Sequence, residues 1–181
     1  MDHPTENTHW HVISGAPCAG KTAVIDQLSL RGHRVVHEVA RAYIDQRLTE
    51  GATLEEIKAD PLAFERHILF EKLRIEARLP KEDHIFLDRA APDSIAYYEI
   101  EGLDPTEAIE HSRRFRYQTV FMLERLPYEK DKVRSETDTS AIRIASLLER
   151  GYTDLGYTIV HVPVMAIAHR VDFVLAHLGI G

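Results

Sequence analysis

The segment Gly15-Ala16-Pro17-Cys18-Ala19-Gly20-Lys21-Thr22 satisfies the pattern G-x-x-x-x-G-K-[ST] at every fixed position. Glycines let such a loop curl so that successive N–H groups point inward, and a helix beginning behind it adds its positive end. Both favour a polyanion. Lys21 would reach the outer phosphates of a nucleoside triphosphate, and the Thr22 hydroxyl would ligate Mg²⁺. The expected guest is ATP with its Mg²⁺. GTP is not excluded, although no N-K-x-D guanine-reading motif is present. Cys18, near a helix N-terminus, reads either as a reactive thiol or as a small idle loop residue.

Other chemistry-bearing residues stand where apolar runs end. Asp88 closes Ile85 to Leu87 and has the position of a carboxylate that holds Mg²⁺ directly or through water; the plainer alternative is a strand-terminating aspartate. Arg89 and Asp93 follow it, and Glu38 and Arg41 follow Val35-Val36. Glu38 could take a proton from an acceptor hydroxyl, while Arg41, Arg89 and Asp93 would contact the acceptor, guanidinium being a planar fork of donors. Equally, Glu38 suits a helix's first turn and makes an i,i+3 pair with Arg41. After Val120 to Leu123 comes a charged stretch, Glu124 to Thr139, that reads as a lid. Arg134, then Arg125, are its candidates for a cation delivered onto the donor phosphates, since phosphoryl transfer depends on positioning and on charge placed at the transferring group. Interleaved Glu and Asp make a solvated mixed-charge loop an equal reading for any one of these cations. The eleven histidines lack zinc-site company such as Cys pairs or H-E-x-x-H, so Mg²⁺ is the only metal expected.

These residues need elements to hold them. Trp10, Val12 and Ile13 form a buried first strand, and Ala23 to Leu30 a helix stopped by Gly32. Val35-Val36 is a second strand, followed by a helical segment closed by Gly51. Thr53 with Glu56 makes a capping box, and Asp60-Pro61 opens a long helix through Leu79. Ile85 to Leu87 is the third strand, with helices from about Pro92 and from Asp104-Pro105. Val120 to Leu123 is the fourth, a helix then runs to a stop at Gly151, Tyr157 to Val162 is the fifth strand, and Val171 to Leu178 the last helix. Alternating strands and helices imply an α/β fold: a parallel sheet covered on both faces, with ligands beyond the carboxyl ends of its strands.

A length of 181 residues suits one domain, read as residues 10–181 behind a flexible tail, 1–9. An apolar fraction of 44% and a charged fraction of 28% exclude wholesale disorder. A net charge of -7 argues against nucleic acid as a partner, and the lack of a long apolar run argues against a membrane. Cys18 as the single cysteine, with a polar start to the chain, leaves the cytoplasm as the default setting.

In combination, the phosphate loop, Val35-Val36-His37-Glu38-Val39-Ala40-Arg41, Leu87-Asp88-Arg89 with Asp93 and Tyr97, Asp131 to Glu136, Gly156-Tyr157, Val162-Pro163 and Arg170-Val171 resemble a known family. It comprises AAA-type P-loop ATPases and kinases described as involved in NAD metabolism, similar to the ribosylnicotinamide kinase domain of a bacterial NAD-biosynthesis regulator. The resemblance implies a P-loop kinase-like three-layer α/β/α fold with strand order 2-3-1-4-5. It also implies a lid after the fourth strand and MgATP as donor, and it supports Glu38, Arg41, Asp88, Arg89 and Arg134 as site residues. The expected activity is a Mg²⁺-dependent small-molecule kinase acting on a nucleoside-like hydroxyl. The alternatives are a nucleotide-dependent NTPase switch acting through a protein partner, and a non-catalytic nucleotide-binding module.

Overall fold

The computed structural model describes residues 5–125 and 135–180. In chain order these form β1 (Glu6–Asn7), β2 (Trp10–Ser14), α1 (Lys21–Leu30), β3 (Arg34–Val36), α2 (Val39–Thr49), α3 (Leu54–Ile57), α4 (Pro61–Glu76) and β4 (Ile85–Asp88). There follow α5 (Asp93–Ile100), α6 (Thr106–Ser112), β5 (Phe115–Arg116), β6 (Thr119–Leu123), α7 (Ser135–Thr153), β7 (Ile159–Val162) and α8 (Ile167–Leu178). Five strands make one parallel sheet in the order β3-β4-β2-β6-β7. Numbering only the strands of this sheet gives 2-3-1-4-5, the expected order.

Side chains alternate across each strand, so neighbouring residues serve opposite layers. Val12, Leu87, Val120 and Met122 face Leu148 and Tyr152 of α7, whereas Ile13, Phe86, Phe121 and Val162 face α1 and α8 through Val24, Leu28, Val171 and Val174. A third cluster joins α4, α5 and α6 through Leu69, Ile95, Tyr98 and Ala108. Fully burying one such side chain contributes roughly 1.5–3 kcal/mol. The central pairing aligns Ile13 with Asp88 and Ser14 with Met122. The strands therefore stop together, and the segments after them share one end of the sheet.

Several local rules hold as expected. Thr53 and Glu56 form a reciprocal capping box, and Asp60 accepts from the Ala63 N–H with Pro61 at the first helical position. Other expectations need correction. The tail is not loose up to His9, because Glu6–Asn7 pairs in parallel with Phe115–Arg116 and Thr8 is buried. Gly151 does not stop its helix, since α7 runs on to Thr153. A Cβ at Gly151 would lie 3.4 Å from the Pro92 carbonyl oxygen and 3.7 Å from Ile95 Cβ, so this glycine permits a close approach of α7 to the start of α5. The supposed lid loop is already helical at Ser135–Thr139, the start of α7, and its residues 126–134 lie outside the described part of the chain. Helix α8 begins at Ile167, a turn before Val171.

Candidate active site

The phosphate loop leaves β2 with Gly15 at φ 146°, and a Cβ there would stand 2.8 Å from the Leu123 carbonyl oxygen. Only glycine allows the loop to turn against the end of β6. Cys18 at φ 62° and Gly20 at φ 85° are also left-handed. A left-handed conformation is costly for a residue with a side chain and nearly free for glycine. Helix α1 then opens on Gly20 without a side-chain cap, leaving its first-turn amides for a ligand. Ala16 and Ala19 are buried; Pro17, Cys18 and Thr22 are exposed at the mouth. Lys21 is buried, and its Nζ donates to the Ala16 carbonyl oxygen at 3.1 Å. Burial, reinforced by the charge of Arg89, pushes the Lys21 ammonium down to about 8 against the pull of Asp88, Glu38 and Asp93. The lysine is thus held, short of negative charge, where triphosphate oxygens would supply it.

Asp88 ends β4 opposite Ile13 with both carboxylate oxygens buried and without a hydrogen-bond partner. Burial, then the negative charge of Glu38, pushes its carboxyl up to about 6 while Lys21 and Arg89 pull it down. Buried polar atoms are almost always partnered, so two orphaned oxygens beside a phosphate loop mark binding capacity. Carboxylate oxygens of this kind, with the Thr22 hydroxyl at the start of α1, are hard donors of the type Mg²⁺ takes. Among the described residues no group of three or more His, Cys, Asp and Glu could hold a metal by itself. A Mg²⁺ at Asp88 and Thr22 would therefore draw its remaining ligands from phosphate oxygens and water.

Arg89 adopts φ 67°, an uncommon conformation for arginine, while its N–H donates to the Ile13 carbonyl oxygen at 3.1 Å. Asp93 holds the side chain through an Nη1–Oδ1 contact of 3.1 Å, and the guanidinium lies 5.2 Å from the Tyr97 ring centre. Nε stands 3.5 Å from Glu38 Oε1. Backbone strain of about 1–3 kcal/mol survives where the surroundings over-determine it, and they do so here. Asp93 itself is fully buried. Ser14 Oγ donates to it at 2.6 Å, the Ala90 N–H at 2.9 Å, and the Tyr152 hydroxyl also donates. With these and Arg89 its oxygens are committed, so Asp93 orients Arg89 and is not placed to contact an acceptor, contrary to the expectation from sequence.

Glu38 is brought to Arg89, not to Arg41. Arg41 points to solvent and pairs with Asp45 at 3.1 Å, so the i,i+3 pairing of Glu38 with Arg41 does not form and Arg41 stays outside the cluster. Arg125 lies just past β6 in a half-buried position, and Arg134 lies outside the described residues. One residue of the site escaped sequence reasoning as a site residue. Arg170, fully buried, donates to the carbonyl oxygens of Ala19 at 2.5 Å, Glu124 at 2.9 Å and Pro163 at 3.1 Å, tying the phosphate loop to the ends of β6 and β7. The available signal was a charge on the apolar stripe Ile167, Arg170, Val171, Val174 of α8.

A family model described as an AAA domain, AAA_28, matches residues 10–170. The chain belongs to the AAA_28 family. Among solved structures, this AAA_28 chain resembles NadR in complex with NR at a TM-score of 0.71 and 18% identity, with 96% of this chain and 52% of NadR covered. It spans about half the length of the NadR chains it matches. It also resembles thymidylate kinase from Ehrlichia chaffeensis (TM-score 0.66, 12% identity, 96% of this chain and 99% of that one). Deoxyadenosine kinase from M. mycoides, with products dCMP and a flexible dCDP bound, gives 0.61 and 15%, with 94% and 98% covered. At such identities the likeness establishes a shared P-loop kinase fold. No curated protein matches the chain in sequence.

Proposed function

We propose that this chain is a kinase that uses Mg²⁺ and transfers the γ-phosphoryl group of ATP to a hydroxyl of a nucleoside-like acceptor. The observation that carries the proposal is the meeting of Lys21, Asp88, Glu38 and Arg89 beyond the ends of β2, β3 and β4, with Asp88 unpartnered and Glu38 3.5 Å from Arg89. The loop amides and Lys21 hold the donor phosphates. Mg²⁺, held by Thr22 and Asp88, would neutralise charge on the phosphate oxygens when bound. Glu38 takes the proton of the acceptor hydroxyl as the new O–P bond forms and the bond from γ-phosphorus to ADP breaks. Arg89, fixed by Asp93, stabilises the charge shared between them. In this reading Arg134, and secondarily Arg125, supply further positive charge from the segment after β6. The NR of NadR and the dCMP of deoxyadenosine kinase support a nucleoside-type acceptor. The single cysteine and the net charge of -7 support a cytoplasmic setting without nucleic-acid partners. No helix among the described residues is long and apolar enough to cross a membrane.

The test is acceptor-dependent ADP release from MgATP over a panel of nucleosides, ribosylnicotinamide and sugars. Glu38→Gln should lower kcat by about 10²–10⁴-fold with MgATP affinity unchanged. Asp88→Asn should abolish the Mg²⁺ dependence of nucleotide binding. ADP release indifferent to every acceptor would instead mark the chain as an NTPase.

A further inference from the structure

Tyr152 is fully buried in the last turn of α7, its ring packed with Leu148 against the sheet and edge-on to Tyr157 at 5.7 Å. Packing accounts for the ring and not for the hydroxyl, since phenylalanine would fill the same core without a polar atom to satisfy. That hydroxyl crosses to α5 and donates to Asp93 Oδ2. Two features serve the crossing. Gly151, the preceding residue, lets α7 close on the Pro92 carbonyl at the start of α5. Burial, with the Asp93 charge beside it, pushes the Tyr152 phenol well above its ordinary value, so it keeps the proton it donates.

The four donors to Asp93 are of two kinds. Arg89 Nη1 and the Ala90 N–H belong to the same turn between β4 and α5 and move with it. Ser14 and Tyr152 belong to elements that the core fixes, and each takes one carboxylate oxygen: Ser14 Oγ donates to Oδ1 at 2.6 Å and the Tyr152 hydroxyl to Oδ2. Although burial opposes ionisation, Arg89, Lys72 of α4 and these two hydroxyls hold the Asp93 carboxyl below its ordinary range, so the clamped group is an anion. The arginine attached to it has a left-handed φ of 67°. Donors within the turn would relax together with that strain, whereas a clamp from outside the turn resists it.

Resting on the kinase reading above, we infer that Tyr152 is a positioning residue for phosphoryl transfer: acting through Asp93, its hydroxyl fixes the Arg89 guanidinium beside Glu38. It touches neither donor nor acceptor. Its loss should slow transfer and leave MgATP binding unmoved.

The experiment compares the full wild-type chain with Tyr152→Phe, which keeps the ring and leaves Asp93 Oδ2 the Ala90 N–H. ADP release is measured with MgATP and the best acceptor of the nucleoside, ribosylnicotinamide and sugar panel, beside a thermal melt. The kcat should fall about tenfold or more, because misplacing a group by about 1 Å costs up to about 10²-fold, while KM for ATP stays level. In an Arg89→Lys background the same substitution should cost less than about threefold, since residues acting through one another are not additive. A third readout is independent of turnover. The Arg89 Nε–H is buried and without a hydrogen-bond partner among the described residues. Followed by NMR and assigned by its loss in Arg89→Lys, it should exchange with solvent several-fold faster in Tyr152→Phe. A merely structural hydroxyl would lower the melting temperature alone. An unmoved kcat, an undiminished loss in the Arg89→Lys background or an unchanged exchange rate overturns this inference while leaving the kinase standing. Transfer to no compound by the wild type removes the kinase reading, and the role of Tyr152 in transfer goes with it.

Discussion

Arg170 touches neither the mouth of the phosphate loop nor the acceptor side, yet three backbone carbonyls from three segments depend on it. Replacing it with methionine keeps the apolar stem and strands those oxygens, and breaking a buried charged network of this kind costs about 3–5 kcal/mol. A purely structural role would lower stability alone. Because the Ala19 carbonyl belongs to the loop, Arg170→Met should also weaken MgATP binding under conditions where the variant is folded. Arg170→Lys, able to reach one or two of the carbonyls, should fall between. Titration calorimetry beside a thermal melt separates the effects; a folded Arg170→Met with wild-type nucleotide affinity would remove Arg170 from the site. The same distinction between contact and support applies to Asp93. Its spacing from Asp88 looked like a site residue, but its four hydrogen bonds make it the anchor of Arg89. Spacing reveals that a residue lies near a ligand. Which atoms are already taken depends on partners as remote as Tyr152, and no local pattern records that.

At the scale of elements, the seam between α5 and α7 shows how a local signal can mislead. Gly151 follows a helical run and so reads as a stop, yet it lies inside α7 against the Pro92 carbonyl. Gly151→Val would gain a little helix propensity, about 0.3–0.5 kcal/mol, while forcing methyl groups into a contact already at van der Waals distance. Overpacking of this sort costs about 1–3 kcal/mol, so packing wins. The urea midpoint of Gly151→Val should drop with the slope unchanged, and a midpoint equal to or above the wild type would refute the packing argument. Five strands and the helix caps were legible because each is written in a few adjacent residues: apolar runs, Thr53 with Glu56, Asp60 with Pro61; the order of the strands came from the family resemblance instead. The β1–β5 pair was not. Two-residue strands carry no periodicity, and Glu6 finds Phe115 only after the intervening chain has folded.

Over the whole molecule, the buried ionisable groups make stability depend on pH in a way that one substitution can isolate. Glu76 is almost fully buried, and burial pushes its carboxyl from an ordinary 4.5 up to about 7, although the Tyr117 and Ala91 hydrogen bonds and Lys72 oppose the shift. The native chain therefore holds this proton over a range where the unfolded chain has lost it, so the stability associated with it is fully present below about 4.5 and lost as pH rises through about 7. Glu65 acts in the same direction over the same range. His11 opposes them. Burial, with His84 and His9 adding to it, pushes its imidazole from 6.5 down to about 3, a contribution present above 6.5 and lost as pH falls. The wild-type profile is the sum of these opposed slopes and identifies none of them. Glu76→Gln, which mimics the protonated acid at every pH, removes one slope and leaves the others. Its stability relative to wild type should be level below about pH 4.5 and rise to a gain of roughly 3 kcal/mol above about pH 8, set by the displacement from 4.5 to about 7. Denaturant titrations of both proteins at intervals between these limits give the difference curve directly. If the two profiles run parallel, Glu76 is ionised in the folded protein, and the polar layer joining α4 to β4 and Tyr117 is held by charge instead of by a retained proton.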